Sequence, residues 1–297
     1  QEGYDYINQI CIEPIGPVLP PSYENEKNID NTDDVIFNDA KTEVTVNAQN
    51  MKDDDTLYTY VVPESVTSIT INSASKPIEL TIKPLTNTEA VGLLVKAPAS
   101  AGQVNLNCET GSKLVIPDDN NVNIKGTGDI TVNPEGTATT VNVKKVTLDQ
   151  VTPLVLKSND KPIKINILDI FGSQEFSGQS EEVETTCTNV NIESGSEFKP
   201  KGNLIIENVN IGFKSLLNIN EKNVKVNNFD IKYNTSFASF SKIPIIFNEI
   251  PDSLSKAKFK MSNLAQDAYL EEDSEDFIIA QFKGTEGKGA CKSIVDN

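Results

Sequence analysis

From about residue 41 to residue 232 this chain repeats one short phrase. An apolar residue, a polar one and another apolar one follow in turn, and Asn or Lys often closes the run. Val44-Thr45-Val46-Asn47, Ile78-Glu79-Leu80-Thr81-Ile82-Lys83, Val122-Asn123-Ile124-Lys125, Val141-Asn142-Val143-Lys144, Val190-Asn191-Ile192 and Val209-Asn210-Ile211 are examples. Period-2 alternation rich in β-branched residues and bounded by Gly, Pro, Asn and Asp reads as strand. No long 3.6-residue stripe interrupts the series, so the class is all-β.

The monotony of the phrase points to a parallel β-solenoid. In such a stack each strand lies on its equivalent one turn away, so Val and Ile form ladders inside while Asn or Thr occupies the corners. Asn suits that place because its amide stacks in hydrogen-bonded ladders and its backbone tolerates the left-handed corner conformation. Aromatic residues are only 6% of the chain, and a narrow interior fits aliphatic side chains better than rings. No fixed repeat length is visible, and Gly172 to Thr188 reads as an excursion from the series. Two β-sandwich domains meeting near that excursion are the alternative.

Three regions follow from the texture. Residues 1–40 read as an extended Pro/Asn-rich N-terminal arm, either a polar linker or a strap along a neighbour. Residues 41–262 read as the solenoid core. Residues 263–297 read as a C-terminal capping segment, with a helix-then-strand stretch at 264–282 placed to cover the open end of the stack. Pro244 keeps the apolar run Ile243-Pro244-Ile245-Ile246-Phe247 off a central strand.

Composition removes whole classes of chemistry. The 297 residues contain no histidine, and all 26 basic residues are lysine. A Ser-His-Asp triad or a Cys-His pair cannot be built within such a chain. The net charge of -17 and the lack of arginine make nucleic acid and anionic lipid poor partners. No run approaches the roughly 18 apolar residues that would suggest a membrane-spanning helix. No cofactor is expected, since no glycine-rich loop has phosphate-binding spacing. Asp53-Asp54-Asp55 and Asp118-Asp119-Asn120-Asn121-Val122-Asn123 gather oxygens but fit no EF-hand loop, so ordinary turn chemistry is the plainer reading. Carboxylates are what remain for catalysis.

Cys11, Cys108, Cys187 and Cys291 are widely spaced and even in number, which favours two disulfides over free thiols. A Cys11–Cys291 bridge tying the ends and a Cys108–Cys187 bridge in the middle is one of three pairings. Asn234-Thr235-Ser236 is a glycosylation sequon. Together with a chain that starts at Gln1 without an apolar leader, these features suggest a mature secreted protein, extracellular or at a cell surface. Tyr58 and Tyr60 alternate, so on a strand they face one side, either as a sugar-stacking platform or as a half-buried pair. Lys83, Lys125, Lys164 and Lys232 are expected on the solvent face.

Asn31-Thr32-Asp33-Asp34 resembles one motif of the pectin-hydrolysing β-helix family, whose histidine- and arginine-containing motifs cannot exist here. Val62 to Ile69 resembles one turn of bacterial-type surface leucine-rich repeats, but it occurs once, without the rest of the repeat. Three functions are therefore expected in this order. The first is a secreted, non-enzymatic structural subunit that self-associates into a homo-oligomer or lattice, as in a coat, a spore or cell wall, or a filament. The second is a surface adhesin or glycan-binding module that uses exposed loops such as 172–188. The third is a carboxylate-dependent polysaccharide-degrading β-helix enzyme.

Overall fold

A computed structural model describes residues 24–47, 51, 56–63, 65–72, 78–83, 93–96, 104–116, 122–158, 160–179, 182–233, 244–249, 251, 254–263 and 280–282. It is an all-β parallel solenoid. Sheet A joins eleven strands: β1 (Asn25–Asn28), β4 (Thr56–Val62), β6 (Ile78–Ile82), β8 (Val104–Cys108), β10 (Val122–Gly126), β12 (Val141–Leu148), β14 (Ile163–Ile170), β16 (Thr185–Ile192), β18 (Leu204–Ile211), β20 (Lys225–Tyr233) and β22 (Lys258–Asn263). Sheet B joins β2 (Val35–Phe37), β3 (Glu43–Asn47), β5 (Ser68–Asn72), β7 (Leu93–Lys96), β9 (Lys113–Ile116), β11 (Gly128–Pro134) and β13 (Leu154–Lys157). Sheet C joins β15 (Ser173–Ser177), β17 (Glu197–Lys201), β19 (Leu216–Ile219), β21 (Ile245–Phe247) and β23 (Ala280–Phe282). From β4 onward each rung gives one strand to sheet A and the next to sheet B or C. Pairing is parallel except between β2 and β3. Two sandwiches of antiparallel sheets are thereby excluded.

The missing repeat length has a simple cause. In sheet A the inward column Val143, Ile165, Cys187, Ile206, Val226 advances by 22, 22, 19 and 20 residues. Elsewhere a rung uses as few as 18 residues (Leu106 to Ile124) or as many as 35 (Ile245 to Ala280). The strands keep register while the segments between them differ in length. One rung, β12, buries Val141, Val143, Val146 and Leu148, and each such side chain stabilises the fold by about 1.5–3 kcal/mol. Rings pack against one another toward the C-terminal end, where Phe229 stacks on Phe259 at 4.5 Å and meets Phe247 edge-on at 6.3 Å.

Several expectations are corrected. The segment 172–188 is no excursion: β15 and the start of β16 are ordinary rung strands. The solenoid also reaches back into the expected arm, since β1 pairs with β4 and β2 with β3. Residues Asn31-Thr32-Asp33-Asp34 form the turn between them, where Thr32 Oγ1 donates to the Ile29 carbonyl. Sheet C continues through β23, within the stretch expected to cap. Pro244 does not exclude a central strand, because β21 lies between β19 and β23. Proline sits one residue before that strand, so its missing N–H falls outside the ladder while its carbonyl accepts from the Leu217 N–H at 2.8 Å. Cys108 and Cys187 are free buried thiols. They lie on β8 and β16, four strand spacings or at least about 19 Å apart along the axis, and Cys108 is level with Ile192 rather than Cys187. That is far beyond disulfide reach, so the Cys108–Cys187 pairing is corrected. Cys11, Cys291 and Asn234 lie outside the described residues, as do residues 53–55 and 118–121.

Candidate functional site

The chemistry of the stack sits on the outward columns of sheet A. Strands β12, β16 and β18 share one burial pattern, in which alternation slips by one residue at mid-strand. The register skips Asn166, Thr188 and Glu207 in successive rungs, which marks a stacked bend. The bend removes backbone carbonyls from the ladder, and asparagines of the following rungs donate to them. Asn208 Nδ2 donates to the Thr188 carbonyl at 3.0 Å and Asn228 Nδ2 to the Glu207 carbonyl at 2.9 Å. These amides also chain along the axis, Asn228 to Asn208 and Asn208 to Asn189.

Two residues further along each strand runs a second, charged column. Asp169, Asn191, Asn210 and Asp230 occupy equivalent places on β14, β16, β18 and β20. Asn191 Nδ2 donates to Asp169 Oδ1 and Asn210 Nδ2 to Asn191 Oδ1, each at 2.8 Å. Lysines bind two of its carboxylates, Asp169 and Asp230, and also Asp149 just past the end of β12. Lys125 reaches Asp149 at 3.0 Å, Lys145 reaches Asp169, and Lys232 reaches Asp230 at 2.9 Å. The first two pairs are diagonal contacts between adjacent rungs, so the same geometry is used twice.

A solvent-open depression of about 450 Å³ lies where this column meets the turn after β16. Asn191, Glu193, Asn210, Gly212 and Lys232 are among its walls. The rungs approach closely here: a Cβ on Gly212 would stand 2.6 Å from the Ile192 carbonyl oxygen. Below the turn, Ser215 Oγ donates to the Glu193 carbonyl at 2.6 Å, and buried Ser112 and Ser196 hold equivalent corners. The Glu193 carboxyl is raised above the usual carboxylate range, first by burial and then by repulsion from Asp169, with Lys145 opposing. The site can accept hydrogen bonds through a carboxyl and an amide oxygen and can donate through a lysine.

Tyr58 and Tyr60 do share one side, but both are buried, so they form no stacking platform. Burial, with a smaller push from Asp30, raises the Tyr60 phenol to about 12. Burial also raises the Cys108 thiol to about 12 and the Cys187 thiol further. Lys83 and Lys164 are exposed, while Lys125 and Lys232 are half-buried in their ion pairs. Among the described residues no group of three or more His, Cys, Asp or Glu side chains is placed to hold a metal ion, and no helix is long and apolar enough to cross a membrane. Glu193, Asn191 and Asn210 were not singled out as functional by sequence reasoning. The available signal was the alignment of Val190-Asn191-Ile192 with Val209-Asn210-Ile211 and Phe229-Asp230-Ile231, which requires the rung length to be known. Comparison of the chain with protein-family models, with curated proteins and with solved structures finds no match in any of the three.

Proposed function

We propose that this chain is a non-enzymatic structural subunit that self-associates in an extracellular coat, wall, lattice or filament. One observation carries the reading: a single parallel sheet spans the described stack, and its terminal strands β1 and β22 each pair on one side only among the described residues. An unpaired strand edge is a template for another chain. The charged column supports the same view, because Asp169 is already bound by Lys145 and Asn191 of the two neighbouring rungs and serves cohesion between them. The acidic surface and the sequon at Asn234 support the extracellular placement. Sedimentation velocity and negative-stain imaging of the full chain over a wide concentration range test it. Concentration-dependent assemblies are expected, and a strictly monomeric particle throughout overturns the reading.

The depression favours a second reading, a glycan-binding surface. Sugar hydroxyls match the mixed donors and acceptors of Glu193, Asn210 and Lys232. A glycan array with the wild type and Glu193→Gln tests this; a ligand that the variant loses supports it, and no ligand on the array counts against it.

A further inference from the structure

The two ends of sheet A differ in charge. Among residues 24–40, at the β1 end, Glu24, Glu26, Asp30, Asp33, Asp34 and Asp39 face a single lysine, Lys27. The first two, with Asp33 and Asp39, are exposed. At the β22 end, residues 254–263 carry Lys256, Lys258 and Lys260 and no acidic residue. Lys256 and Lys258 are exposed. Like ends therefore repel and unlike ends attract.

We infer that a second copy of this chain docks head to tail, adding its acidic β1 edge in parallel to the basic β22 edge and so extending sheet A from one copy into the next. The inference rests on the self-associating role proposed above. Strand direction is suited to it, because β1 pairs in parallel with β4 and β22 in parallel with β20, and a copy translated along the axis keeps that sense. Register follows from the outward column Asn28, Thr59, Glu79, Asn105, Asn123, Lys145, Ile167, Asn189, Asn208, Asn228, Lys258. Continued across the junction, it sets Asn28, the last residue of β1 in one copy, beside Lys258, the first residue of β22 in the next, and leaves Glu26 facing the 3-10 turn Leu254–Lys256 that precedes β22. The contact joins different surfaces and so does not close on itself, and repetition builds an open filament. Charge on short edge strands normally suppresses pairing. Here it suppresses pairing of like ends only and gives the filament a polarity.

Charge reversal at each end tests the inference in the full chain. One variant carries E24K/E26K/D33K and the other K256E/K258E, with circular dichroism confirming the fold of each. Each variant alone has two ends of like sign and is expected to need at least about tenfold more protein to assemble. An equimolar mixture again offers unlike ends and is expected to restore filaments, while added salt weakens those of the wild type. Replacing the acidic run 271–276 by Gln and Asn is expected to leave assembly intact or strengthen it, and loss of assembly there overturns the inference. A wild type that assembles equally well with either end reversed also overturns head-to-tail docking but leaves the structural role standing. A wild type that never assembles removes both.

Discussion

Glu193 illustrates how a residue acquires a role from its position in the stack. In the sequence it is one of 43 acidic residues, with nothing local to mark it. In the fold it sits half-buried at a corner, near Asp169 one rung below. Because its pKa is raised, the folded chain holds the proton to higher pH than the unfolded chain does. Stability therefore falls as pH rises from the ordinary carboxylate range through the raised value. Urea midpoints measured between about pH 4 and pH 7 should decline less steeply for Glu193→Gln than for the wild type; superimposable profiles would show that the corner does not perturb it. Residue types were legible where local pattern decides them. Tyr58 and Tyr60 fell on one face, and the four strand lysines faced outward. Ion-pair partners such as Lys145 and Asp169 were not legible, since they lie 24 positions apart in a chain whose rung length varies.

At the scale of the strand, the bend in sheet A is the device that the sequence concealed. Period-2 reading predicts straight strands, whereas β16 alternates, slips once at Thr188 and Asn189, and alternates again. The asparagines beside each bend satisfy the carbonyls that the slip frees. Asn208→Ala should cost about 1–2 kcal/mol, because a donor to the Thr188 carbonyl disappears. Lys164→Ala, at an exposed outward position of β14, should change stability by less than about 0.5 kcal/mol. Chemical denaturation of both variants compares the two, and equal effects would deny the asparagine column a stabilising role. The abundance of asparagine at strand ends was plain in the sequence, and its use in ladders was expected. Its task of covering bent backbone required the register. Pro244 misled for a related reason: one residue separates exclusion from a central strand and permission to precede it.

For the whole molecule, the hydrophobic phrase sufficed to give a parallel stack, because apolar ladders need only similar strands at similar depth. It could not give the joint between sheets B and C. There β13 and β15 lie close without a ladder, and sheet A carries the connection, helped by Gln179, which accepts from the Ser158 N–H and donates to the Lys161 carbonyl. Solenoid stability is a sum of neighbour contacts, so the joint is the weak step. Cys108 and Cys187 report on opposite sides of it. With Cys11 and Cys291 replaced by Ser, both thiols should resist labelling in the native state, as burial and raised pKa require. In rising urea they should become reactive at different concentrations; simultaneous reaction would mean that the stack unfolds as one unit. The unequal rungs have a consequence for the particle as well. Strand spacing is fixed near 4.8 Å, yet the chain spent per step ranges from 18 to 35 residues. Mass is thus distributed unevenly along the axis, with lean and heavy bands at set heights. Repeated head to tail, those bands would become a periodic banding pattern along the fibre, and antibodies raised against the long corners would decorate it at regular stations.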